Sequence, residues 1–202
     1  METKAWQLGS PGTIVYQFFD ALRQRLNSRL VEYFLTRAIT RTEAAVLEAG
    51  SGPAFASSIL RTDHRVGLSI AVDIDPEALM QARSRDPLLS LVVADLNCLP
   101  FRSESVDLCW NSSTIEHLPE PAQALAEMQR VTMRGGCVFV GVPYVYGPLG
   151  FQRWIRRSSI GIWIGETFDR SQLIQLVTEA DLKPKEAIFY FFRFFVGILA
   201  GK

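Results

Sequence analysis

The chain has 202 residues, of which 48% are apolar and 21% charged, and its 21 basic and 21 acidic residues balance to a net charge of zero. This globular composition excludes a disordered or collagen-like chain, and the lack of a basic excess argues against a nucleic-acid-binding protein. We expect a single domain over residues 1–202. Because the three cysteines and two histidines show no metal-ligand spacing, we expect no metal site and a reduced, cytoplasmic protein.

The first 42 residues predict a polar start followed by one long helix. Between Ile14 and Ile39, apolar residues recur at helical spacing, as at Leu26, Leu30 and Phe34. The arginines between them are expected to face solvent. We therefore expect an N-terminal helical cap over residues 1–42.

From residue 44 onwards, short apolar strands alternate with helices. Strands are predicted at 44–49, 66–73, 89–94, 106–111 and 137–142. Helices are predicted up to residue 60, at 76–84 and at 121–131, the last ending near the glycines at 135–136. Asp75, followed by Pro76, suits a helix N-cap. Nearly all-apolar strands that alternate with helices indicate an α/β fold, with a parallel sheet covered on both faces.

The C-terminal third begins with a break in this rhythm at residues 143–170. A helix is then predicted from Ser171, as its N-cap, to Ala180, followed by strands at 185–192 and 194–200. The Phe- and Tyr-rich stretch at 187–200 is shorter than a membrane-spanning helix and contains Arg193. We interpret it as core strands, while a peripheral contact with a membrane stays open.

The most informative segment is 46–55, where a strand ends in a Gly-x-Gly turn. Glycines let the backbone approach a ligand closely, but such a turn alone is weak evidence. Asp73 ends the second strand 23 residues after Gly50, and Asp95 follows the third strand. Because ligands bind at the carboxyl ends of parallel strands, and an acid there can accept hydrogen bonds from ribose hydroxyls, we expect a nucleoside-binding rim.

Five segments carry a resemblance to a known family: Glu48-Ala-Gly-Ser-Gly, Val72-Asp-Ile-Asp-Pro, Ala94-Asp-Leu with Leu99-Pro-Phe, Asn111-Ser-Ser-Thr-Ile-Glu-His-Leu, and Arg130-Val-Thr-Met-Arg-Gly-Gly. Together they resemble the motifs of class I S-adenosylmethionine-dependent methyltransferases. Within that class the chain is similar to the small-molecule branch that includes the quinone-biosynthesis enzymes (methyltransferase type 11). The resemblance implies a Rossmann-like three-layer sandwich, with a seven-stranded, mostly parallel sheet whose last strand is antiparallel.

The resemblance also implies S-adenosylmethionine as the cofactor and assigns residues to its methionine part. Gly50, Ser51 and Gly52 would line that part of the cofactor. Glu48 would hold its amino group, directly or through water. Asn111 would contribute backbone nearby.

The nucleoside part of the cofactor is assigned to the other two strand ends. Asp73 would bind the ribose hydroxyls, with Ile74 against the adenine. Asp95 would accept a hydrogen bond from the adenine amino group, and Leu96 would sit beside the ring. The family often has a third glycine where this chain has Ala54, a common small substitute.

The expected chemistry is transfer of a methyl group to a small acceptor, as O- or C-methylation. Such a transfer requires alignment of the acceptor and, for hydroxyl or carbon acids, removal of a proton. His117 and Glu116 are the candidate bases. Residues 143–170 are the expected substrate lid, and their aromatic residues favour a lipophilic or aromatic acceptor: Tyr144, Tyr146, Phe151, Trp154, Trp163 and Phe168. Arg153, Arg156 and Arg157 could pair with an acidic group on it.

Two alternatives come from other functional classes. An NAD-binding protein would need the Gly-x-Gly-x-x-Gly pattern, but this chain has Phe55 where the last glycine belongs. A protein that binds S-adenosylmethionine, has lost catalysis and acts through a partner stays open.

Overall fold

The computed structural model describes the backbone of residues 14–148 and 165–202, with side chains from residue 25 onwards within these ranges. The helices are α1 (Ile14–Arg37), α2 (Phe55–Arg61), α3 (Pro76–Arg85), α4 (Pro121–Val131) and α5 (Arg170–Glu179). The strands are β1 (Ala44–Ala49), β2 (Val66–Asp73), β3 (Ser90–Val93), β4 (Val106–Ser112), β5 (Thr132–Pro143), β6 (Lys183–Tyr190) and β7 (Phe195–Gly201). The expected polar start and residues 149–164 of the expected substrate lid lie outside the described residues.

All seven of these strands form one sheet in the order β3-β2-β1-β4-β5-β7-β6. Neighbouring strands from β3 to β5 are parallel, whereas β7 runs antiparallel to both β5 and β6. The predicted fold class is therefore confirmed: a seven-stranded, mostly parallel sheet with an antiparallel last strand. The carboxyl ends of β1, β2, β3 and β4 lie along one rim.

Alternate residues of the central strands enter the cores on opposite faces of the sheet. Val46 and Leu108 pack under α1 and α2, whereas Leu47 and Cys109 belong to the core under α4 and α5. Ala71 packs with α3, on the side of α2. This two-residue alternation places a helical layer on each face and so produces the three-layer sandwich.

Helix α1 covers β4 and β5 through an aromatic cluster. The ring of Phe34 lies 5.0 Å from those of Trp110 and Phe139. The neighbouring Tyr33 hydroxyl donates to Glu186 Oε2 of β6 at 3.2 Å. These contacts fix the C-terminal half of α1 against the sheet.

Of the two C-terminal strands, β7 is a core strand, as interpreted from the sequence, whereas β6 is an edge strand without a buried residue. Val196, Ile198 and Ala200 of β7 are buried between β5 and β6. No helix in the described parts of the chain is both long and apolar enough to cross a bilayer.

Three sequence predictions on element ends are wrong. Strand β5 begins at Thr132 and not at residue 137, because Thr132 pairs with Val106; α4 before it ends at Val131, as predicted. Strand β6 covers 183–190 and not 185–192. The N-cap of α5 is Asp169 and not Ser171, because the Asp169 carboxylate accepts from the Gln172 N–H at 2.8 Å and the Gln172 side chain accepts from the Asp169 N–H.

Candidate functional site

The turn after β1 is held by backbone hydrogen bonds and by a side chain from the far side of the rim. The N–H groups of Gly50 and Ser51 donate to Val72 O at 2.8 and 2.9 Å. Gly50 has a φ of +77°, and a Cβ there would lie 2.5 Å from the Thr114 side chain. The Thr114 hydroxyl donates to Gly50 O at 3.0 Å. Only glycine suits this position, and the role of Thr114 was missed by sequence reasoning.

The predicted ribose acid lies directly against the glycine turn. Asp73 Oδ2 accepts from the Gly52 N–H at 2.6 Å, and Oδ1 accepts from the Asp75 N–H at 2.8 Å. Gly52 has a φ of +50°, and a Cβ there would meet nothing within 4 Å. Gly52 and Asp73 therefore border an open space at the rim.

Glu48 points away from that space, towards the first turn of α2. Its carboxylate accepts from the Ser57 N–H at 3.1 Å and from the Ser57 hydroxyl at 2.5 Å. Only 7% of Glu48 is exposed, and this burial raises the pKa of its carboxyl group to about 8. Glu48 thus joins β1 to α2 beneath the glycine turn.

The end of β3 brings the second acid to the same rim. The Ala94 N–H donates to Asp73 O at 3.1 Å, and the exposed Asp95 accepts from the Asn97 N–H at 2.9 Å. Ile74 is 67% exposed, whereas Leu96 is 5% exposed and packs in the core under α4. The rim therefore carries an exposed apolar side chain between two acids.

Asn111 closes the rim at the end of β4. Its side chain is fully buried, donates to Ala49 O and accepts from the Ile115 N–H at 3.4 Å. The Asn111 amide thus joins the ends of β1 and β4. The backbone that follows begins the turn which carries both candidate bases.

Glu116 and His117 lie in the 3₁₀ turn that follows β4. Glu116 is 3% exposed, and its Oε1 accepts from the Ser113 hydroxyl at 2.9 Å. Burial raises the pKa of Glu116 to about 7 and lowers that of His117. His117 Nε2 lies 3.8 Å from Glu116 Oε1. A carboxyl group with a pKa near neutrality is suited to general-base catalysis.

Aromatic residues gather where β5 ends at the rim. The Tyr144 ring lies 4.8 Å from that of Phe189 and 5.7 Å from that of Tyr146, which is 77% exposed. Phe168 lies beside the end of β5, because the Val145 N–H donates to Phe168 O at 3.0 Å. The other aromatic residues and arginines expected in this region lie outside the described residues: Phe151, Arg153, Trp154, Arg156, Arg157 and Trp163.

Comparison with known families gives one match, which covers the strands and turns described above. Residues 47–140 match the methyltransferase domain family. Just under half of this chain therefore resembles a methyltransferase domain. The matched segment contains the glycine turn, the three acids Glu48, Asp73 and Asp95, and the turn after β4.

Curated relatives agree with this match. The chain is 36% identical over 110 residues to an uncharacterized methyltransferase of Mycobacterium tuberculosis, which covers 52% of this chain and 41% of that protein. It is 33% identical over 121 residues to a malonyl-[acyl-carrier protein] O-methyltransferase of Herminiimonas arsenicoxydans, covering 60% and 44% of the two chains. The chain thus spans less than half the length of the curated relatives it matches.

Solved structures share the fold of this chain at low sequence identity. Magnesium protoporphyrin IX methyltransferase from Synechocystis, with bound SAH (S-adenosylhomocysteine), superposes with a TM-score of 0.75 at 13% identity, over 96% of this chain and 90% of that one. The Haloferax volcanii complex of a putative methyltransferase with the Trm112 activator gives 0.73 at 20% identity, over 91% and 95%. These likenesses show the fold. The predicted cofactor is supported by the family match and by a probable S-adenosylmethionine-dependent methyltransferase of Mycobacterium tuberculosis, 36% identical over 102 residues, and neither an NAD-binding protein nor an inactive one is favoured.

Proposed function

We propose that this protein transfers the methyl group of S-adenosylmethionine to a small-molecule acceptor. The observation that carries the proposal is the contact between Asp73 and the Gly52 N–H at an open space on the rim. When bound, the cofactor supplies a methyl group on a positively charged sulfur. The protein must then hold the cofactor, align the acceptor and exclude water.

The methionine part of the cofactor would bind along the glycine turn. Gly50, Ser51 and Gly52 present backbone there, and the backbone after Asn111 closes the opposite side. Because the Glu48 carboxylate is already engaged by Ser57, we propose that it acts on the amino group through a bridging water or through the shape of the turn.

The nucleoside part would bind between the ends of β2 and β3. The Asp73 carboxylate would accept hydrogen bonds from the ribose hydroxyls, either in place of those from the Gly52 and Asp75 N–H groups or in addition to them. Ile74 would cover the adenine with a side chain that is otherwise exposed to water. Asp95 would accept from the adenine amino group, and Leu96 would support the ring from the core.

We propose a lipophilic or aromatic acceptor that enters beside β5. The aromatic residues Tyr144, Tyr146 and Phe189 at that end of the sheet support this class of acceptor. A related protein bears the name malonyl-[acyl-carrier protein] O-methyltransferase, and a solved neighbour the name magnesium protoporphyrin IX methyltransferase. Glu116 and His117 are the proposed bases.

The remaining assignments are proposals about the whole protein. We propose a single domain in which residues 1–42 and 143–170 cover the acceptor. We propose a cytoplasmic location, which the free thiols of Cys98, Cys109 and Cys137 support. A peripheral membrane contact would use the same aromatic end of the sheet.

The proposal is tested with the purified chain, S-adenosylmethionine and a panel of acceptors. The panel contains alkylated phenols, prenylated quinols, fatty acids and a duplex DNA, and formation of SAH is measured. We expect turnover with a lipophilic phenol, quinol or acid and none with DNA. Turnover with DNA alone, or with no member while SAH binds normally, would contradict the proposed acceptor class.

A further inference from the structure

A group of polar side chains lies at the end of β4, beyond the cofactor residues. We call it the β4 polar cluster and define it by Ser112, Ser113, Glu116 and Tyr190. The Ser113 hydroxyl donates to Glu116 Oε1 at 2.9 Å. The Ser112 and Tyr190 hydroxyls lie 2.8 Å apart, although 78 positions separate them in the chain. Tyr190 had not been predicted to take part in the site.

The Tyr190 ring reaches this cluster from the edge of the sheet. Tyr190 ends β6, and β7 and β5 lie between it and β4. Both intervening strands carry glycine along the Tyr190 ring. A Cβ at Gly141 would collide with the Tyr190 hydroxyl, and a Cβ at Gly197 would overlap the Phe139 ring and lie 3.2 Å from the Tyr190 ring. Glycine within a strand weakens the strand and often marks a close approach. The fold thus provides room for a tyrosine hydroxyl at the end of β4.

One atom of the cluster lacks a hydrogen bond. Glu116 Oε2 is buried and has no hydrogen-bond partner among the described residues, whereas Oε1 is engaged by Ser113. Burial of a carboxylate oxygen without a donor costs free energy. Such an atom indicates a donor that arrives with a ligand. No group of three metal-ligating side chains occurs in the described ranges, so a donor hydrogen suits this oxygen better than a metal ion.

The position of the cluster links it to the methyl-transfer site. Thr114, two residues before Glu116, donates to Gly50 O in the glycine turn. The Glu166 N–H donates to Glu116 O at 3.0 Å, so the C-terminal end of the expected substrate lid (143–170) also contacts this turn. Glu116 therefore lies between the proposed cofactor site and the proposed acceptor entrance.

We propose that the β4 polar cluster is the acceptor subsite, and that it binds acceptors through an O–H or N–H group that donates to Glu116 Oε2. This inference rests on the proposed function and narrows it, because it makes the methylated atom oxygen or nitrogen and not carbon. The proton passes from the acceptor to Glu116 Oε2. The electron pair of the broken O–H or N–H bond stays on the acceptor atom, which is then the nucleophile. The titratable groups nearest Glu116 are His117, whose Nε2 lies 3.8 Å from Oε1 and whose pKa burial lowers, and the neutral Tyr190 phenol, whose pKa burial raises.

The test uses two matched probes, phenol and its methyl ether anisole, which differ in the donor hydrogen. Each is titrated by NMR into the full chain saturated with SAH. We expect phenol to bind at least about tenfold more tightly than anisole, since a hydrogen bond to a charged group is worth roughly 1.5–3 kcal/mol. Glu116→Gln should abolish this preference, because an amide NH₂ then occupies the place of Oε2. Glu186→Gln, which changes a carboxyl group on β6 outside the cluster, should keep it.

Three outcomes would overturn the inference. The first is equal binding of the two probes by the wild type, which would follow if a residue outside the described ranges already donates to Oε2. The second is a Glu116→Gln variant that binds SAH normally and still prefers phenol. If that variant does not fold, a crystal structure of the wild type with SAH and phenol decides, and a phenol oxygen beyond hydrogen-bond distance of Oε2 contradicts the inference. Failure of SAH to bind the wild type would instead contradict the proposed function.

Discussion

The Gly52 N–H donates to Asp73 Oδ2 over 2.6 Å and so joins the turn after β1 to the end of β2. The same carboxylate accepts from the Asp75 N–H. Asp73 therefore has a structural role in addition to its proposed contact with the ribose. Its replacement should affect both stability and cofactor binding, and the two effects need separate measurements.

Asp73→Ala should weaken SAH binding by about 10- to 100-fold, since one charged hydrogen-bond partner is worth roughly 1.5–3 kcal/mol. It should also lower the free energy of unfolding, because two backbone N–H groups lose their acceptor. Calorimetry measures the first effect and urea denaturation the second. The control is Asp75→Ala, which removes the N-cap of α3 at a cost of about 1 kcal/mol. Equal SAH affinity in the two variants would show that Asp73 does not contact the cofactor.

The two glycines of the turn should respond differently to alanine. Gly50→Ala should destabilise the fold by about 2–4 kcal/mol, because the left-handed backbone disfavours a Cβ that would also overlap Thr114. Gly52→Ala places its methyl group in open space, so it should cost only about 1–2 kcal/mol. That methyl group should nevertheless obstruct the cofactor. A Gly52→Ala variant that binds SAH as the wild type does would place the cofactor elsewhere.

Ile74 tests the adenine contact without disturbing the core. Because its side chain is 67% exposed, Ile74→Ala should leave the melting temperature nearly unchanged. It should weaken SAH binding by roughly fivefold, since covering that apolar surface is worth about 1 kcal/mol. Met80, which is 62% exposed on α3 outside the site, provides the matched control. If Met80→Ala and Ile74→Ala bind SAH equally well, Ile74 does not cover the adenine.

Two buried carboxyl groups should make the stability fall as the pH rises. Burial raises the pKa of Glu48 to about 8 and that of Glu116 to about 7, from an ordinary value of 4.5. The native state therefore retains protons that the unfolded state has released between pH 4.5 and 7 or 8. The free energy of unfolding should fall through that window by up to about 1.4 kcal/mol per pH unit for each group.

Variants assign this pH dependence to residues. Glu48→Gln should halve the slope between pH 4.5 and 7 and remove it between pH 7 and 8, whereas Glu116→Gln should halve the slope only up to pH 7. Asp63→Asn is the control: because Arg65 lowers the pKa of Asp63 to about 2, Asp63 contributes to the slope only below about pH 4, and this variant should keep the wild-type slope from pH 5 to 8. Denaturation curves at each pH measure the slope. A wild-type stability that rises from pH 5 to 8 would contradict the raised pKa values.

Local sequence patterns predicted most of the sheet. The bounds of β1 and β2 were right because each is a short apolar run that ends in a polar or glycine-rich turn. Residues 135–136 were expected to lie between α4 and β5, since both glycines suit the connection that follows a helix. In the fold they lie within β5, where a Cβ at Gly136 would lie 2.7 Å from Asp107 O. That close approach depends on pairing with β4, which no local pattern encodes.

The sequence predicted those site residues that lie in a motif at the end of a strand. It did not predict the residues that reach the site from a distant part of the chain. Asp73, Asp95 and the glycine turn follow from strand ends. Thr114 and Tyr190 do not, because each acts on a residue more than sixty positions away. Gly141 and Gly197, read as ordinary strand residues, were the signal for Tyr190.

The most direct test of the central claim is calorimetric titration of the wild-type chain with SAH and, separately, with NAD. We predict binding of SAH alone. At about 100 times its dissociation constant, SAH should add roughly 2.7 kcal/mol to the stability and raise the melting temperature by about 5–10 °C. NAD at the same concentration should leave the melting temperature unchanged. Binding of NAD without binding of SAH would contradict the assignment of the glycine turn and Asp73 to S-adenosylmethionine.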